Sequence, residues 1–192
     1  MRREVEVDTK LAENYEAVLH QERLIDSHMN TIRHYTGQER EYVRYGRGYT
    51  RRWTGTAQEA ETQIRTILEA GKEANKGYHN GYSFDTAVRA VEGLDAARAE
   101  IQRIKDESKP LNDEYAEKRW SRFFLVTSSN HGHIHASMHC STCRPTTTYA
   151  WLPELSGLTE KDAVEAQGPN LCSRCFPEAP VEWTYQNRKG KK

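Results

Sequence analysis

The chain has 192 residues, a length that suits one or two small domains. Only 36% of the residues are apolar, 29% are charged and the mean hydropathy is -0.93, which argues against one large core. Basic and acidic residues number 28 each, so the net charge alone predicts neither a nucleic-acid partner nor a membrane partner. Any basic patch must therefore be local.

Two features of the sequence bear on where the protein works. No run of about 18 apolar residues occurs, which argues against a transmembrane helix. The first residues, MRREVEVDTKLAENYE, are too highly charged for a secretory signal. We therefore expect a cytoplasmic protein, in which clustered cysteines are more often metal ligands than disulfides.

Amphipathic helical patterns dominate the first part of the chain. A first helix is predicted over residues 4 to about 40, because apolar residues recur every seven positions, as in an imperfect coiled coil. This stripe consists of Leu11, Val18, Ile25 and Ile32. A second helix is predicted over roughly 56–75, ahead of a turn-rich stretch with several glycines.

A third predicted helix begins after the N-cap candidate Ser83 and carries apolar residues at spacings of three, four and seven. Pro110 is expected to kink or end it, because proline lacks the N–H that a helix interior needs. The helical pattern then resumes as far as Arg119. We therefore predict a three-helix bundle or coiled-coil hairpin over residues 1–118, with each apolar stripe buried against another helix or another subunit.

A segment between the first two predicted helices interleaves arginines with aromatic residues and glycines. Arginine suits phosphate groups, and aromatic rings offer stacking faces to unpaired bases. The residues predicted to contact nucleic acid are Arg44, Arg47, Tyr49, Arg51, Arg52 and Trp53. A basic tail over 187–192 adds a second local patch. The alternative is a continuation of the helix, with the arginines paired to Glu39 and Glu41.

The character of the chain changes at Trp120. Residues 122–140 alternate as two strands around a turn do, so a β-hairpin is predicted there. A third strand is predicted over 146–152, followed by a short helix after the N-cap candidate Thr159. The expected fold class is α+β, with a small β-rich module over 119–186 after the helical region.

Four cysteines form two C-x-x-C pairs, Cys140/Cys143 and Cys172/Cys175, with 28 residues between them. Two such pairs supply the four soft ligands of a closed tetrahedral zinc site, which leaves no open position for chemistry. The separation exceeds the roughly 15–20 residues of the common pattern. We predict one structural zinc ion that staples a module with little core of its own. The alternative is four free or redox-active thiols.

Four histidines precede the first cysteine pair at odd positions, so they would share one face of an ideal strand. They are His131, His133, His135 and His139. The simplest interpretation is that they pack on the hairpin surface or contact a partner. A second metal at His133, His135 and His139 is an alternative, and its open position would suit hydrolysis. A third is a site of three cysteines and one histidine, using His139.

Three motifs in the C-terminal part are similar to those of a known group of proteins: WSRFFLVTSSNHGHIHASMHCSTCRPTT, YAWLPELSG and LCSRCFPEAPVEW. Together they resemble a C-terminal module of uncharacterised actinobacterial and actinobacteriophage proteins. The resemblance implies a zinc-ribbon-like module on a phage or mobile-element protein, with Cys140, Cys143, Cys172 and Cys175 as ligands, and it implies no activity. The layout also resembles DksA/TraR-type transcription factors, which join a helical hairpin to a four-cysteine zinc module and bind RNA polymerase.

These observations lead us to expect a non-enzymatic, zinc-binding accessory or regulatory protein that works in the cytoplasm, the host cytoplasm if it is phage-encoded. Its expected partners are nucleic acid, a protein machine of transcription, recombination or defence, or both. One alternative is a protein-only interaction or self-assembly module that forms a homo-oligomer through its helices. The other is a metal-dependent hydrolase or nuclease that uses His133, His135 and His139.

Overall fold

The computed structural model describes residues 1–75, 78–128 and 132–185, with the backbone alone at Tyr78. Predictions that involve His131 and the basic tail over 187–192 lie outside these residues. The described residues form helices and small antiparallel sheets, which confirms a mixed α+β fold. The helices are α1 (Arg3–Tyr35), α2 (Ala57–Ala74), α3 (Phe84–Lys118) and α4 (Glu160–Gln167). The strands are β1 (Arg40–Tyr45), β2 (Gly48–Trp53), β3 (Tyr78–His79), β4 (Tyr82–Ser83), β5 (Phe124–Val126), β6 (Ile134–His135) and β7 (Tyr149–Trp151).

The chain divides into two compact units. One comprises Met1–Tyr15 and Glu107–Lys192, and the other comprises Glu16–Asp106. Helices α1 and α3 each contribute residues to both units. The first unit thus groups the start of the chain with the C-terminal cysteines and histidines, a grouping that the sequence pattern does not indicate.

An apolar core from three helices organises the unit Glu16–Asp106. Ile32, Ile64 and Leu94, which come from α1, α2 and α3, are fully buried in it. Helix α2 begins with a capping box, in which Thr56 and Glu59 each accept a backbone hydrogen bond from the other. The core shows why these amphipathic stripes form helices, since burial supplies the stability that helical propensity lacks.

Helix α1 ends at Tyr35, about five residues before the predicted end. Gly37 follows with φ of +81°, a left-handed conformation that glycine adopts without strain, and the chain then enters β1. Strands β1 and β2 pair antiparallel from Arg40↔Trp53 to Tyr45↔Gly48. The alternative of a continued helix in this segment is therefore wrong.

Helix α3 runs through Pro110 as far as Lys118, so the expectation that this proline ends the helix is wrong. The proline is exposed, and contacts to α1 hold the helix on both sides of it. Ser108 accepts a hydrogen bond of 2.9 Å from Asn14, and Arg3 contacts Glu114 at 2.6 Å. Tertiary contacts thus offset the backbone hydrogen bond that proline cannot donate.

The unit Met1–Tyr15 with Glu107–Lys192 contains a three-stranded antiparallel sheet in the order β6-β5-β7. The predicted hairpin over 122–140 is present only in part, because β5 and β6 pair through two residue pairs, Phe124↔His135 and Leu125↔Ile134. Strand β7 and helix α4, with its Thr159 cap, form where the sequence predicts them. The same unit contains an apolar core formed by Phe123, Ile134, Leu152, Leu155, Ala163, Leu171 and Phe176.

A buried ionic cluster ties the first turns of α1 to the C-terminal part of the same unit. Asp8 is 1% exposed and lies 2.6 Å from the guanidinium of Arg122, whose side chain is 8% exposed. The same carboxylate accepts hydrogen bonds from the indole of Trp120 at 2.8 Å and from the hydroxyl of Ser156 at 2.6 Å. The guanidinium carbon also lies 3.3 Å from the ring centroid of Tyr115. The side chain of Arg122 is therefore held both by the charge of Asp8 and by packing against the ring of Tyr115.

Candidate metal centre and arginine-aromatic hairpin

Four side chains of the C-terminal part lie close enough to hold one metal ion: His135, Cys140, Cys172 and Cys175. One donor atom from each falls within 4.8 Å of the other three. The set contains Cys140 from the first C-x-x-C pair and both cysteines of the second, and it adds a histidine. Three sulfurs and one imidazole nitrogen form a donor set that structural zinc accepts.

Backbone pairing brings these residues together across the sequence. The Ile134 N–H donates to the carbonyl of Asn170 at 2.8 Å, and the Cys172 N–H donates to the carbonyl of Ile134 at 2.8 Å. His135 and Cys172 therefore stand on neighbouring segments. Each C-x-x-C pair closes a tight turn, in which Cys143 donates to the carbonyl of Cys140 at 3.0 Å and Cys175 to that of Cys172 at 3.1 Å.

The distances between donor atoms fit a tetrahedral zinc ion. With Zn–S of about 2.3 Å and Zn–N of about 2.0–2.1 Å, tetrahedral angles separate two sulfurs by about 3.8 Å and a sulfur from a nitrogen by about 3.5 Å. The Sγ atoms of Cys140 and Cys172 are 4.0 Å apart. The Sγ atom of Cys175 lies 3.4 Å from Nδ1 of His135. These two distances lie close to the tetrahedral values, and the whole set, which spans up to 4.8 Å, would have to contract around the ion.

Burial sets the protonation of the donors. Burial, with the charge of neighbouring His133 as a second cause, lowers the pKa of His135 to about 4, so its ring is neutral at pH 7, as a metal ligand must be. Burial raises the pKa of Cys175 to about 12. Burial also opposes ionisation of Cys140, but hydrogen bonds from Thr142 and the other thiols outweigh it and lower the pKa of that thiol. Metal binding at these cysteines must therefore release protons.

Cys143, a predicted ligand, lies beside this donor set. Its Sγ atom is 3.5 Å from Nε2 of His135, whereas the Sγ atom of Cys175 is 3.4 Å from Nδ1, the other nitrogen of the same ring. It packs in a small cluster with Phe124 and Tyr149. Burial, followed by a hydrogen bond with Cys143, raises the pKa of Tyr149. Cys143 thus contacts the histidine of the set without belonging to the set, and ligation by Cys143 stays a prediction.

The remaining described histidines differ in their surroundings. Strand β6 ends at His135, so the expected single face of histidines does not continue to His139, which lies exposed in a turn. The ring of His133 lies 4.4 Å from that of His135 and stacks on Tyr185 at 5.0 Å. Among the described residues no second group of three or more donors is close enough to share a metal. The sequence flagged His135, but as part of a separate histidine site.

A second candidate site lies in the other unit, on the hairpin formed by β1 and β2. Its register places an arginine opposite an aromatic residue in three pairs on one face: Arg40↔Trp53, Tyr42↔Arg51 and Arg44↔Tyr49. We call this the arginine-aromatic face. The opposite face carries Glu41↔Arg52, Val43↔Thr50 and Tyr45↔Gly48. The predicted contact residues therefore separate, with Arg52 on the opposite face and Arg47 in the turn.

The side chains of the arginine-aromatic face are mostly exposed. Tyr42 and Tyr49 are 65% and 74% exposed, whereas Trp53 is half-buried beneath the guanidinium of Arg40, whose carbon is 4.7 Å from the ring centroid. Arg51 covers the ring of Tyr42 at 4.7 Å and donates to its hydroxyl. None of the hairpin arginines forms an ion pair with a carboxylate of the described chain, so the pairing with Glu39 and Glu41 is not observed.

A pocket of about 670 Å³ opens at the base of this face. The hairpin contributes Arg40, Tyr42 and Arg51, and the other lining residues are Ser27, Asn30, Thr31, His34 and Tyr82. No carboxylate is present among the described residues that line it. The volume falls in the range of small-molecule sites, and the lining offers cationic and neutral donors to an anion.

Comparison of the chain with protein-family models, with curated proteins and with solved structures finds no match. The resemblance to actinobacterial and phage proteins therefore rests on the sequence motifs and stays a prediction. None of the helices in the described part of the chain combines the length and apolar character needed to cross a membrane.

Proposed function

We propose that this chain is a non-enzymatic accessory or regulatory protein that binds nucleic acid through its β1–β2 hairpin and carries one structural zinc ion in its other unit. The observation that carries the proposal is the arginine-aromatic face, where three arginines without carboxylate partners alternate with three aromatic rings. Guanidinium groups bind phosphates, and aromatic rings stack on bases. A protein machine acting on the same nucleic acid is part of the proposal as a further partner.

The zinc ion has a structural role in this proposal. We assign His135, Cys140, Cys172 and Cys175 as its ligands, because their donor atoms lie within 4.8 Å of one another and two of the distances are close to tetrahedral values. Four protein ligands leave no open position for a reactive water, which argues against hydrolysis at this metal. A reducing cytoplasm, as the sequence predicts, would keep the thiols free for the metal.

Cys143 takes an outer position in this assignment. When Nδ1 of His135 binds the metal, its Nε2 faces the sulfur of Cys143 at 3.5 Å. A histidine ligand usually directs its second ring nitrogen to an acceptor that fixes the orientation of the ring. Cys143 would supply that acceptor, in place of the ligand role that the sequence predicts.

Zinc content per chain tests this assignment. We expect about one zinc in the unmodified protein and in C143S, and a loss of tightly held zinc in C140S, C172S, C175S and H135A. The reverse pattern, with zinc lost in C143S and kept in H135A, would establish four-cysteine ligation instead. Two zinc ions per chain would contradict a single structural site and favour the hydrolase hypothesis.

Nucleic-acid binding is tested by removing the hairpin charges. We expect the variant R44Q/R47Q/R51Q/R52Q to bind labelled oligonucleotides at least tenfold more weakly and with a smaller dependence on salt. The matched control removes four exposed cations elsewhere: Arg23, Arg89, Lys105 and Arg119. Equal weakening by both variants would show that overall charge, not the hairpin, governs binding. No change in the hairpin variant would overturn the proposal.

A further inference from the structure

Building on the proposed function, we propose that the arginine-aromatic face binds unpaired nucleotides, with bases stacked on Tyr42 and Tyr49 and the backbone phosphates on Arg44 and Arg51. The pocket at the base of the face would receive one nucleotide of the same strand. The ligand class is therefore single-stranded nucleic acid.

The register makes arginines and aromatic residues alternate on this face, both across the hairpin and along each strand. Aromatic residues occupy alternate strands in successive pairs, Trp53 on β2, Tyr42 on β1 and Tyr49 on β2, and the arginines fill the complementary positions. Tyr42 and Tyr49 thus each have an arginine directly across the hairpin and another two residues away on the same strand. A nucleic-acid strand bound along this face would have an aromatic ring and a guanidinium group next to each other at each successive residue pair.

Stacking on these rings selects unpaired bases. Tyr42 and Tyr49 are diagonal neighbours in the register, and such positions are separated by about 7–8 Å. A ring can stack only on the face of a base that is not covered by its neighbours, and in a duplex adjacent base pairs cover both faces of each interior base. A single strand can expose base faces to both rings.

The two tyrosines offer different stacking surfaces. Arg51 already covers one face of the Tyr42 ring at 4.7 Å, so a base on the other face completes a stack of guanidinium, ring and base. Tyr49 is 74% exposed. Trp53 is excluded from stacking, because it is half-buried and packs edge-on against His34 at 4.8 Å as well as beneath Arg40.

The pocket extends the face toward α1. Asn30 accepts a hydrogen bond of 3.1 Å from Arg40, which holds that guanidinium at the pocket rim. Ser27 and Thr31 of α1 also line the pocket. Because α1 walls the same face on which Tyr42 lies, a single strand can enter the basal half, whereas a duplex lying across the hairpin would meet the helix.

Matched variants on the two faces of one hairpin test this inference. Y42V/Y49V removes both stacking rings and keeps β-forming residues, while Y45V removes a tyrosine that is 72% exposed on the opposite face. The probes are fluorescein-labelled oligo(dT) and oligo(U) of about 12 nucleotides and a duplex of equal length, measured by anisotropy. The two single-stranded probes distinguish DNA from RNA as the source of the unpaired bases.

We expect Y42V/Y49V to weaken single-strand binding at least tenfold at every salt concentration, with an unchanged salt slope, and Y45V to change it less than twofold. R44Q/R51Q should instead reduce the salt slope, and Y49F should retain binding because it keeps the ring. Circular dichroism of each variant verifies that it is folded.

The outcomes separate this inference from the proposed function. Duplex binding equal to or tighter than single-strand binding, still dependent on Arg44 and Arg51, would overturn the inference and leave nucleic-acid binding intact. Polyglutamate that competes as well as oligo(dT) would assign the face to acidic proteins and overturn both. Absence of binding to every probe would also overturn both.

Discussion

Replacement of Asp8 by alanine should destabilise the unit that contains the metal centre. The Asp8 carboxylate is buried, contacts the Arg122 guanidinium at 2.6 Å and accepts hydrogen bonds from Trp120 and Ser156. Removal leaves a buried cation and two polar hydrogens without their acceptor. Breaking one partner of a buried ion pair costs about 3–5 kcal/mol. Tyr115 packs on the guanidinium at 3.3 Å and hinders its escape to water.

Urea unfolding of the zinc-loaded protein, followed by tryptophan fluorescence, measures this cost. With a urea dependence of about 1.5 kcal/mol per molar, a loss of about 3–5 kcal/mol lowers the midpoint by about 2–3 M. The control is E13A, which removes an exposed carboxylate of the same helix and should change stability by less than about 0.5 kcal/mol.

A compensating variant separates the charge effect from lost packing. D8L/R122M replaces both partners with apolar side chains, and methionine can retain the contact with Tyr115. We expect this double variant to be more stable than D8A, because no unpaired charge remains buried. A D8A midpoint within about 0.5 M of the unmodified protein would refute the reasoning. So would a double variant less stable than D8A.

Two further predictions concern the helices. Hydrogen bonds from Arg98 and, after the opposing effect of burial, from Arg65 lower the pKa of Glu61 from 4.5 to about 2, so this contribution to stability is present above about pH 4.5 and is lost as the pH falls toward 2. E61Q should lower the free energy of unfolding by about 1–2 kcal/mol near pH 6, whereas E69Q, at an exposed position, should change it little. In denaturant titrations the difference between E61Q and the unmodified protein should shrink near pH 3. A difference that stays constant with pH would contradict this prediction. P110A should increase the free energy of unfolding by up to about 3 kcal/mol and so raise the melting temperature, because it restores a backbone donor inside α3 and removes a steric clash. A lower melting temperature would show that the proline fits its site without strain.

The helical elements were predictable because their signals are local. The period of the apolar residues located α1 and α2, and Thr159 located the start of α4. The sequence indicated helix on both sides of Pro110, but not that α3 continues through it as one helix, since that depends on partners such as Asn14 that are remote in sequence. Local rules estimate the cost of a helix-breaking residue but not the contacts that offset it.

The hairpin was missed because its alternation is one of residue type rather than of hydropathy. In β1, arginine and tyrosine alternate from Arg40 to Arg44, and in β2 the order continues from Tyr49 to Trp53. Neither arginine nor tyrosine indicates a buried apolar face here, so a search for alternating apolar and polar residues does not detect these strands. Counting arginine and aromatic residues as one class gives a period of two over Arg40–Arg44 and, apart from Arg52, over Tyr49–Trp53, which would have indicated strands.

The candidate metal centre was predictable from its cysteine pairs, but the residues that the structure brings together there were not fully predictable. Two C-x-x-C pairs indicate a metal from spacing alone. The placement of His135 among the thiols depends on the bridge between Ile134 and Leu171, which joins segments 37 residues apart in the chain. Sequence reasoning grouped His135 with other histidines, because an ideal strand was assumed to continue beyond the point where β6 ends.

The two candidate sites depend on different sources of stability. The metal donors lie in the unit Met1–Tyr15 with Glu107–Lys192, whose apolar core includes Ile134 and Leu171. The hairpin lies in the unit Glu16–Asp106, which has its own apolar core and, among its described residues, no cluster of metal donors. Burial of side chains such as Ile32 and Ile64, not metal ligation, therefore stabilises the unit that presents the arginines. The proposed zinc ion would therefore act in one unit, and the proposed contact with nucleic acid depends on the other.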